Sequence, residues 1–224
     1  MLDSSDKIKE IENQIEIALW NFEIHNELDK ALKAYQEAES TLMELIIQMD
    51  HPAFTEQQRV LSYCLMRQGN LLRQMDKPEE ALLLGEREIA AARASGDDLT
   101  LARALMSTGT NLIVSGAKER GLKQFEEARK LFEIGDSYDH QQGLGWYWIL
   151  QADLSNAGLV VKEPAEVVEI TTQALDILKP IENWPGVARS YAARAKAYEK
   201  LGHEENAAKD RQEQYFYESK VKPE

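Results

Sequence analysis

The stretch that decides the fold of this chain is LMRQGNLL, residues 65–72. Forty residues later the chain reads LMSTGTNL, residues 105–112, so that Leu, Met, Gly and the last Leu recur at the same spacing. A related stretch, YAARAKAY at residues 191–198, runs directly into LGHEENA at residues 201–207. Self-similarity at a fixed period of about 40 residues indicates a repeat architecture in which each repeat is one supersecondary unit.

The chain around these stretches is composed of strong helix formers, and only 12 Gly and 6 Pro occur among its 224 residues. Gly85, Gly109 and Gly121 lie inside otherwise helical runs, where each costs about 1 kcal/mol relative to Ala. Because two antiparallel helices approach closely only where side chains are small, close helix packing is the expected compensation. The pattern therefore predicts an all-α protein built from helix pairs.

These repeats resemble the tetratricopeptide repeat (TPR), a helix-turn-helix unit with small residues at fixed positions of both helices. The glycine position of the first helix falls on Gly69 and Gly109, with Ala152 and Ala195 as small substitutes and Leu19 as a departure. The small position of the second helix falls on Ala31, Ala81, Gly121, Val167 and Ala207.

The second-helix position advances by 50, 40, 46 and 40 residues, whereas the family's usual period is about 34. Lengthened repeats of this kind are similar to those of kinesin light chains and of bacterial peptide-sensing regulators. The resemblance implies a right-handed α-α superhelix, a TPR-like solenoid of about five helix pairs. We expect one continuous domain, residues 1–224, with units at 6–49, 54–95, 97–134, 138–180 and 183–219.

Turn signals divide the chain into ten helical segments. Pro78 and Pro164 stand where a helix would begin, and Gly96 and Gly116 stand where one would end. Together with the other Gly, Pro, Asp and Asn clusters, they predict helices at about 6–24, 27–49, 54–75, 78–95, 97–115, 118–134, 138–158, 163–180, 183–201 and 204–219.

Composition excludes several classes of function. The formal net charge is -13, and a surface so negative repels the phosphate backbone of nucleic acids. No stretch approaches 18 uncharged apolar residues, so we expect no membrane span. Cys64 is the only cysteine, which excludes an internal disulfide, and its apolar neighbours indicate a buried side chain. The polar N-terminus has no apolar signal region, and we expect a cytoplasmic protein.

No pattern indicates catalysis, a metal or a cofactor. The four histidines fall in or beside turns of different units, and none is paired at a metal-binding spacing. Gly143 and Gly145 lack the third glycine and the preceding strand of a dinucleotide loop. Adjacent carboxylates such as Glu79 and Glu80 point in different directions on a helix. We therefore expect a protein without enzymatic activity, cofactor or metal.

The resemblance to TPR proteins also implies a binding groove. In such stacks the first helix of each pair lines the concave surface, and side chains at fixed positions point into it. Those positions in this sequence are Trp20, Tyr63, Met66, Asn70, Arg73, Arg103, Met106, Thr110, Trp146, Asp153, Arg189 and Lys196. Aromatic residues, Arg and Met are well suited to binding polypeptides, although Trp20, Met106 and Trp146 are equally compatible with the core between helices.

The leading hypothesis is a scaffold or adaptor that binds a protein or peptide in this groove. One alternative is a sensor of a signal peptide or small ligand that lacks its output domain. Another is a self-association module, for which Tyr215, Phe216 and Tyr217 near the C-terminus provide an apolar contact. We accordingly expect a monomer or a weak homodimer.

Overall fold

The computed structural model describes residues 3–45 and 47–221. Residues 1, 2, 46 and 222–224, which the expected domain 1–224 includes, lie outside the described residues, and residue 46 also falls in the predicted helix 27–49. Ten α-helices form in the described part of the chain, and every helix predicted from the sequence is present. They are α1 Ser4–Ala18, α2 Leu28–Glu44, α3 Phe54–Gln74, α4 Pro78–Ser95, α5 Asp98–Val114, α6 Lys118–Phe132, α7 Tyr138–Asn156, α8 Pro164–Leu178, α9 Trp184–Lys200 and α10 Glu204–Val221.

Two helices depart from the predicted bounds by more than two residues, and the other eight agree with them within two residues at each end. A π-helical segment, Leu19–Glu23, continues α1, with the Ile24 N–H donating to the Leu19 carbonyl oxygen five residues earlier at 3.1 Å. The second helix ends at Glu44 rather than near residue 49, and Leu45 already has non-helical backbone. Helix ends depend on which backbone groups find partners, and the local sequence specifies this weakly.

Side chains at the helix starts satisfy backbone N–H groups that the helix itself leaves without partners. Asp3 accepts from the Asp6 N–H at 2.8 Å, Asp97 from the Thr100 N–H at 2.8 Å, and Asn183 from the Gly186 N–H at 2.9 Å. Proline occupies the first turn of α4, α8 and α9.

The turn within each helix pair contains a residue in the left-handed conformation. Glycine adopts this conformation without steric cost, while asparagine and aspartate tolerate it better than most other residues. The five residues, one for each pair, are Asn26, Asp76, Gly116, Gly158 and Gly202. The turn geometry therefore repeats with the helices.

The contacts of the chain group into two compact units, Met1–Ala128 and Arg129–Glu224, which we call the N-terminal and C-terminal units. In the N-terminal unit α1 contacts α3 and α3 contacts α5, and in the C-terminal unit α7 contacts α9. First helices of consecutive pairs are thus neighbours within each unit, as in a helical-repeat stack. A single domain over residues 1–224 stays a prediction.

Each unit has its own apolar core. In the N-terminal unit, Ile8, Ile15, Tyr35, Leu42 and Leu65 are completely buried. In the C-terminal unit, a cluster that includes Ile149, Leu178 and Val187 joins α7, α8 and α9. Cys64 is buried, as its neighbours predicted, and its S–H donates to the Tyr35 carbonyl oxygen at 3.1 Å. Burial raises the pKa of Cys64 to about 12, so the reactive thiolate form is disfavoured.

Candidate functional site: the first helices of the repeats

Polar bridges join α1 to α3 on the side where the first helices meet. The Arg59 guanidinium donates to both carboxylate oxygens of Glu12, at 2.8 and 2.7 Å, and also to Glu56. One turn further along α3, the Tyr63 hydroxyl donates to Glu16 at 2.7 Å. Arg67 then pairs with Glu23, which also accepts a bond of 2.7 Å from the Tyr35 hydroxyl. Three successive turns of α3 are therefore held against α1.

Tyr63, one of the predicted groove residues, is half-buried in this set of bridges. Burial, and secondarily its bond to Glu16, raises the pKa of Tyr63 above its usual value, so its hydroxyl keeps its proton and its role as a donor even under alkaline conditions. The bond also restricts the orientation of the ring. A partner would therefore meet a Tyr63 side chain whose conformational entropy is already reduced.

A polar cluster between α3 and α5 contains Asn70 and Arg73, two further residues predicted to line the groove. Arg73 donates through Nη1 to Oδ1 of Asn111 at 2.7 Å and through Nη2 to Oδ1 of Asn70 at 3.1 Å. Burial lowers the pKa of Arg73, while the charge of Glu88 opposes that shift. Arg73 is therefore half-buried and partnered by amides, and its role in binding stays a prediction.

Glu88, on α4, lies beside this cluster and is completely enclosed. It accepts a hydrogen bond of 3.2 Å from Ser107, and burial raises its pKa well above the usual value for a carboxyl group. Within the described residues, Glu88 Oε1 and Asn111 Nδ2 are buried and have no hydrogen-bond partner. Neither residue was predictable as part of a site, because a Glu or Asn within a helix is usually solvated.

The remaining predicted residues of the N-terminal unit differ in accessibility. Met66, Arg103 and Met106 are partly exposed. Thr110 is only 5 % exposed, and its hydroxyl donates to the Met106 carbonyl oxygen at 2.9 Å. The binding role expected of Thr110 stays a prediction, and we leave it out of the surface proposed below. Trp20, for which a core position was equally compatible, is exposed in the π-helical segment.

In the C-terminal unit, polar bridges join α7 to α9. Arg189 donates to Asp153 at 2.8 Å, and one turn later Asn156 donates to the Ala193 carbonyl oxygen at 3.1 Å. Lys196 is exposed. Trp146 is partly buried and packs against the core cluster around Ile149. The first helices of this unit therefore carry all four predicted residues, Trp146, Asp153, Arg189 and Lys196. Trp146 differs from the other three because it also packs against the core.

Other aromatic residues of the C-terminal unit pack on one another. Tyr217 of α10 stacks on Trp184 and Tyr191, with ring centroids 5.4 and 5.8 Å away. Tyr215 and Phe216 beside it are exposed. Self-association through these two residues stays a prediction.

Gly143 and Gly145 in α7 have packing roles that their sequence pattern did not predict. A Cβ atom on Gly143 would lie 2.1 Å from the Phe132 ring, and one on Gly145 would lie 2.4 Å from Leu178. Both glycines therefore permit close helix packing. The available signal was two glycines spaced by two residues in a helical run, but the partner side chains are distant in sequence.

The described residues contain no group of three or more His, Cys, Asp or Glu side chains arranged to hold a metal ion. In the same part of the chain, no helix has both the length and the apolar character required to cross a membrane. The absence of enzymatic activity stays a prediction.

Comparison with solved structures identifies the class of fold. The chain is similar to BtubC (BKLC) from P. vanneervenii, with a TM-score of 0.59 and 13% identity over 100% of this chain and 95% of that one. It is also similar to a putative kinesin light chain with nearly identical TPR-like repeats from Podosopora anserina, with a TM-score of 0.53 and 14% identity over 97% and 99% of the two chains. The apo form of RapI gives a TM-score of 0.55 and 11% identity over 99% of this chain and 86% of that one.

No protein-family model and no curated protein sequence matches the chain. The structural likeness nevertheless confirms the all-α, TPR-like helical-repeat fold predicted from the repeated glycine and alanine positions. At these low identities the likeness establishes the fold and carries no information about a partner.

Proposed function

We propose that the chain is a scaffold that binds a protein or peptide on the first helices of its repeats. The observation that carries the proposal is the set of polar bridges between neighbouring first helices. These bridges hold α1 against α3 and α3 against α5. Met66 on α3 and Met106 on α5 remain partly exposed. Methionine side chains are flexible and polarizable, which suits them to varied polypeptide ligands.

Pre-organisation supports a binding role for this surface. Association costs free energy when side chains and loops become ordered, and a surface that is already held in place avoids part of that cost. Arg59, Tyr63 and Arg73 each form hydrogen bonds to a neighbouring helix in the free protein. A ligand laid across α3 and α5 would therefore meet fixed helices with adaptable methionines on them.

The test begins with selection of peptides from a phage-displayed random library against the wild-type protein. Selected peptides are then synthesised with a fluorescent label, and their affinities are measured by anisotropy. We expect the double variant Met66→Ser/Met106→Ser to bind them at least about tenfold more weakly, as expected when residues at the centre of an interface are truncated. Circular dichroism of each variant checks that its helices are intact.

Leu83→Ser is the matched control. Leu83 is 76 % exposed on α4, a second helix of a pair, so its removal takes away apolar surface without altering the first helices. We expect this variant to bind as the wild type does. Equal affinities for the wild type and the double-methionine variant would show that the peptides bind elsewhere and would refute the proposed surface.

A further inference from the structure

An exposed stripe runs along α1 and its π-helical continuation and ends at Ile24, in the turn that follows. Its residues alternate at spacings of four and three, the spacing that keeps side chains on one side of a helix and that forms the seam between two packed helices. All six are exposed, and they are Asp6, Glu10, Asn13, Ile17, Trp20 and Ile24. The buried residues Ile8, Ile11, Ile15 and Ala18 form a separate seam on the other side of α1.

The stripe is apolar at one end. Ile17, Trp20 and Ile24 are 47, 52 and 48 % exposed, although each has a large apolar side chain. Single exposed apolar residues are ordinary, but three on consecutive turns form a contiguous patch, and such patches are characteristic of interaction sites.

The segment that presents this patch is held firmly from the opposite side. Trp20 lies within the π-helical segment Leu19–Glu23, and π-helical turns are frequent at functional sites. At the end of that segment, Glu23 is bound by Tyr35 of α2 and by Arg67 of α3. Trp20 is therefore exposed on a backbone segment that contacts with α2 and α3 hold in place.

The other end of the stripe is acidic. The two charged residues of the stripe, Asp6 and Glu10, are both carboxylates; residues 3–10 contain three Asp and Glu against Lys7 and Lys9, and residues 3–29 contain eight against the same two lysines. Three of those carboxylates, at Glu12, Glu16 and Glu23, are engaged by α3. Asp6 and Glu10, which lie in the stripe, form no ion pair within residues 3–45 and 47–221.

We propose that this stripe is a docking surface for an amphipathic helix that carries lysine or arginine beside its apolar residues. The inference rests on the proposed function, polypeptide binding, and adds a second surface with the chemistry of its partner. The partner's apolar side chains pack between Ile17, Trp20 and Ile24. Its basic side chains lie near Asp6 and Glu10, where opposite charge favours both encounter and register.

A second copy of this chain fits the stripe less well. The whole chain has a net charge of -13, so two copies repel each other. If two copies of α1 packed side by side in the same direction, Asp6 and Glu10 would face their own counterparts. In the opposite direction they would face the apolar end, where their charges gain no partner.

The experiment uses an 18-residue labelled peptide of leucine and lysine, with leucines at alternating spacings of three and four. Binding to the full chain is followed by fluorescence anisotropy. We expect saturable binding that weakens at least about tenfold in Ile17→Ser/Trp20→Ser, because the apolar centre of the contact is lost. Leu83→Ser is the matched control and should bind like the wild type, and helical content is verified for each variant.

Two further measurements separate the contributions of charge and shape. Glu10→Gln should weaken binding of the lysine peptide, and added salt should reduce that difference, because exposed charges are screened. A peptide of the same leucine spacing with glutamate in place of lysine should bind poorly.

Three results would overturn the inference. They are equal binding of the lysine and glutamate peptides, equal loss of binding in Leu83→Ser, and sedimentation showing that Ile17→Ser/Trp20→Ser abolishes a dimer of the chain alone. The last result would assign the stripe to a second copy. A separate outcome would refute this inference and leave the proposed function intact. In that outcome the library-selected peptides bind the double-methionine variant more weakly, while the lysine peptide binds Ile17→Ser/Trp20→Ser as tightly as the wild type.

Discussion

Two helix crossings in the N-terminal unit occupy equivalent repeat positions but pack at different distances. Where α3 crosses α4, a Cβ atom on Gly69 would lie 3.5 Å from Asn111 Nδ2 and 4.0 Å from the Ala81 carbonyl oxygen, which are ordinary contacts. Where α5 crosses α6, a Cβ atom on Gly121 would lie 2.5 Å from the Gly109 carbonyl oxygen. Glycine is therefore a requirement of packing at the second crossing and is replaceable at the first.

The difference shows what a repeat pattern conveys. The 40-residue offset from Gly69 to Gly109 correctly identifies both residues as crossing positions. The residue opposite Gly69 is Ala81, and the residue opposite Gly109 is Gly121. Only where both residues are glycine do the backbones of the two helices come into close contact.

Gly109→Leu should be the most damaging change. A Cβ atom there would already lie 2.8 Å from the Phe125 ring and 3.0 Å from the Gly121 carbonyl oxygen, and leucine adds three more carbons. Overpacking of a dense interior typically costs about 1–3 kcal/mol, and we expect a loss of about 3 kcal/mol or more. Urea denaturation followed by circular dichroism measures it. Ala90→Leu, at an exposed position of α4, is the control and should change stability little; a Gly109→Leu protein as stable as this control would contradict the close crossing.

Gly121→Ala should destabilise the protein by about 1–3 kcal/mol, the usual range for overpacking. The single added methyl group meets the Gly109 carbonyl oxygen and the Ile113 side chain, at 2.5 and 2.6 Å. Because one of these neighbours is backbone, relief requires the helices to separate. The midpoint of urea denaturation should fall without a change in slope. An unchanged midpoint would show that α5 and α6 are further apart than described.

Gly69→Ala should change the free energy of unfolding least, and any change should be an increase. The added methyl group makes only ordinary contacts, and alanine is favoured over glycine inside a helix by up to about 1 kcal/mol. Stability should therefore rise slightly or stay constant in the same denaturation experiment. If Gly69→Ala lost as much stability as Gly121→Ala, the distinction between the two crossings would be wrong.

Much of this architecture was predictable because it depends on local patterns. Helix formers, prolines at helix starts and glycines at helix ends are read within a few residues of where they act. The ten helices therefore match their predicted places, with α4 beginning at Pro78 and ending at Ser95 as expected. The two larger exceptions are the π-helical segment after α1 and the end of α2 at Glu44. In the first of them, Glu23 is held by Tyr35 and Arg67 from other helices.

The candidate site was less predictable. Family positions identified Tyr63, Asn70 and Arg73 as residues of the first helices, but they did not show that all three are bonded to other side chains. Those partners lie between 3 and 47 residues away, and the sequence specifies no distance between them. Trp20 illustrates the same limit, because its spacing was compatible with either a core or an exposed position.

By itself, the sequence determined the helices, their pairing and the places where small residues lie between them, because each follows from periodicity and backbone preference. Only the packed helices show which crossing needs glycine, which of the predicted groove residues are already bonded, and which side of α1 remains exposed. These properties depend on the separations between groups on different helices, where a difference of about 1 Å distinguishes an ordinary contact from a clash. Neighbouring residues do not encode such separations, which arise only when the helices pack together.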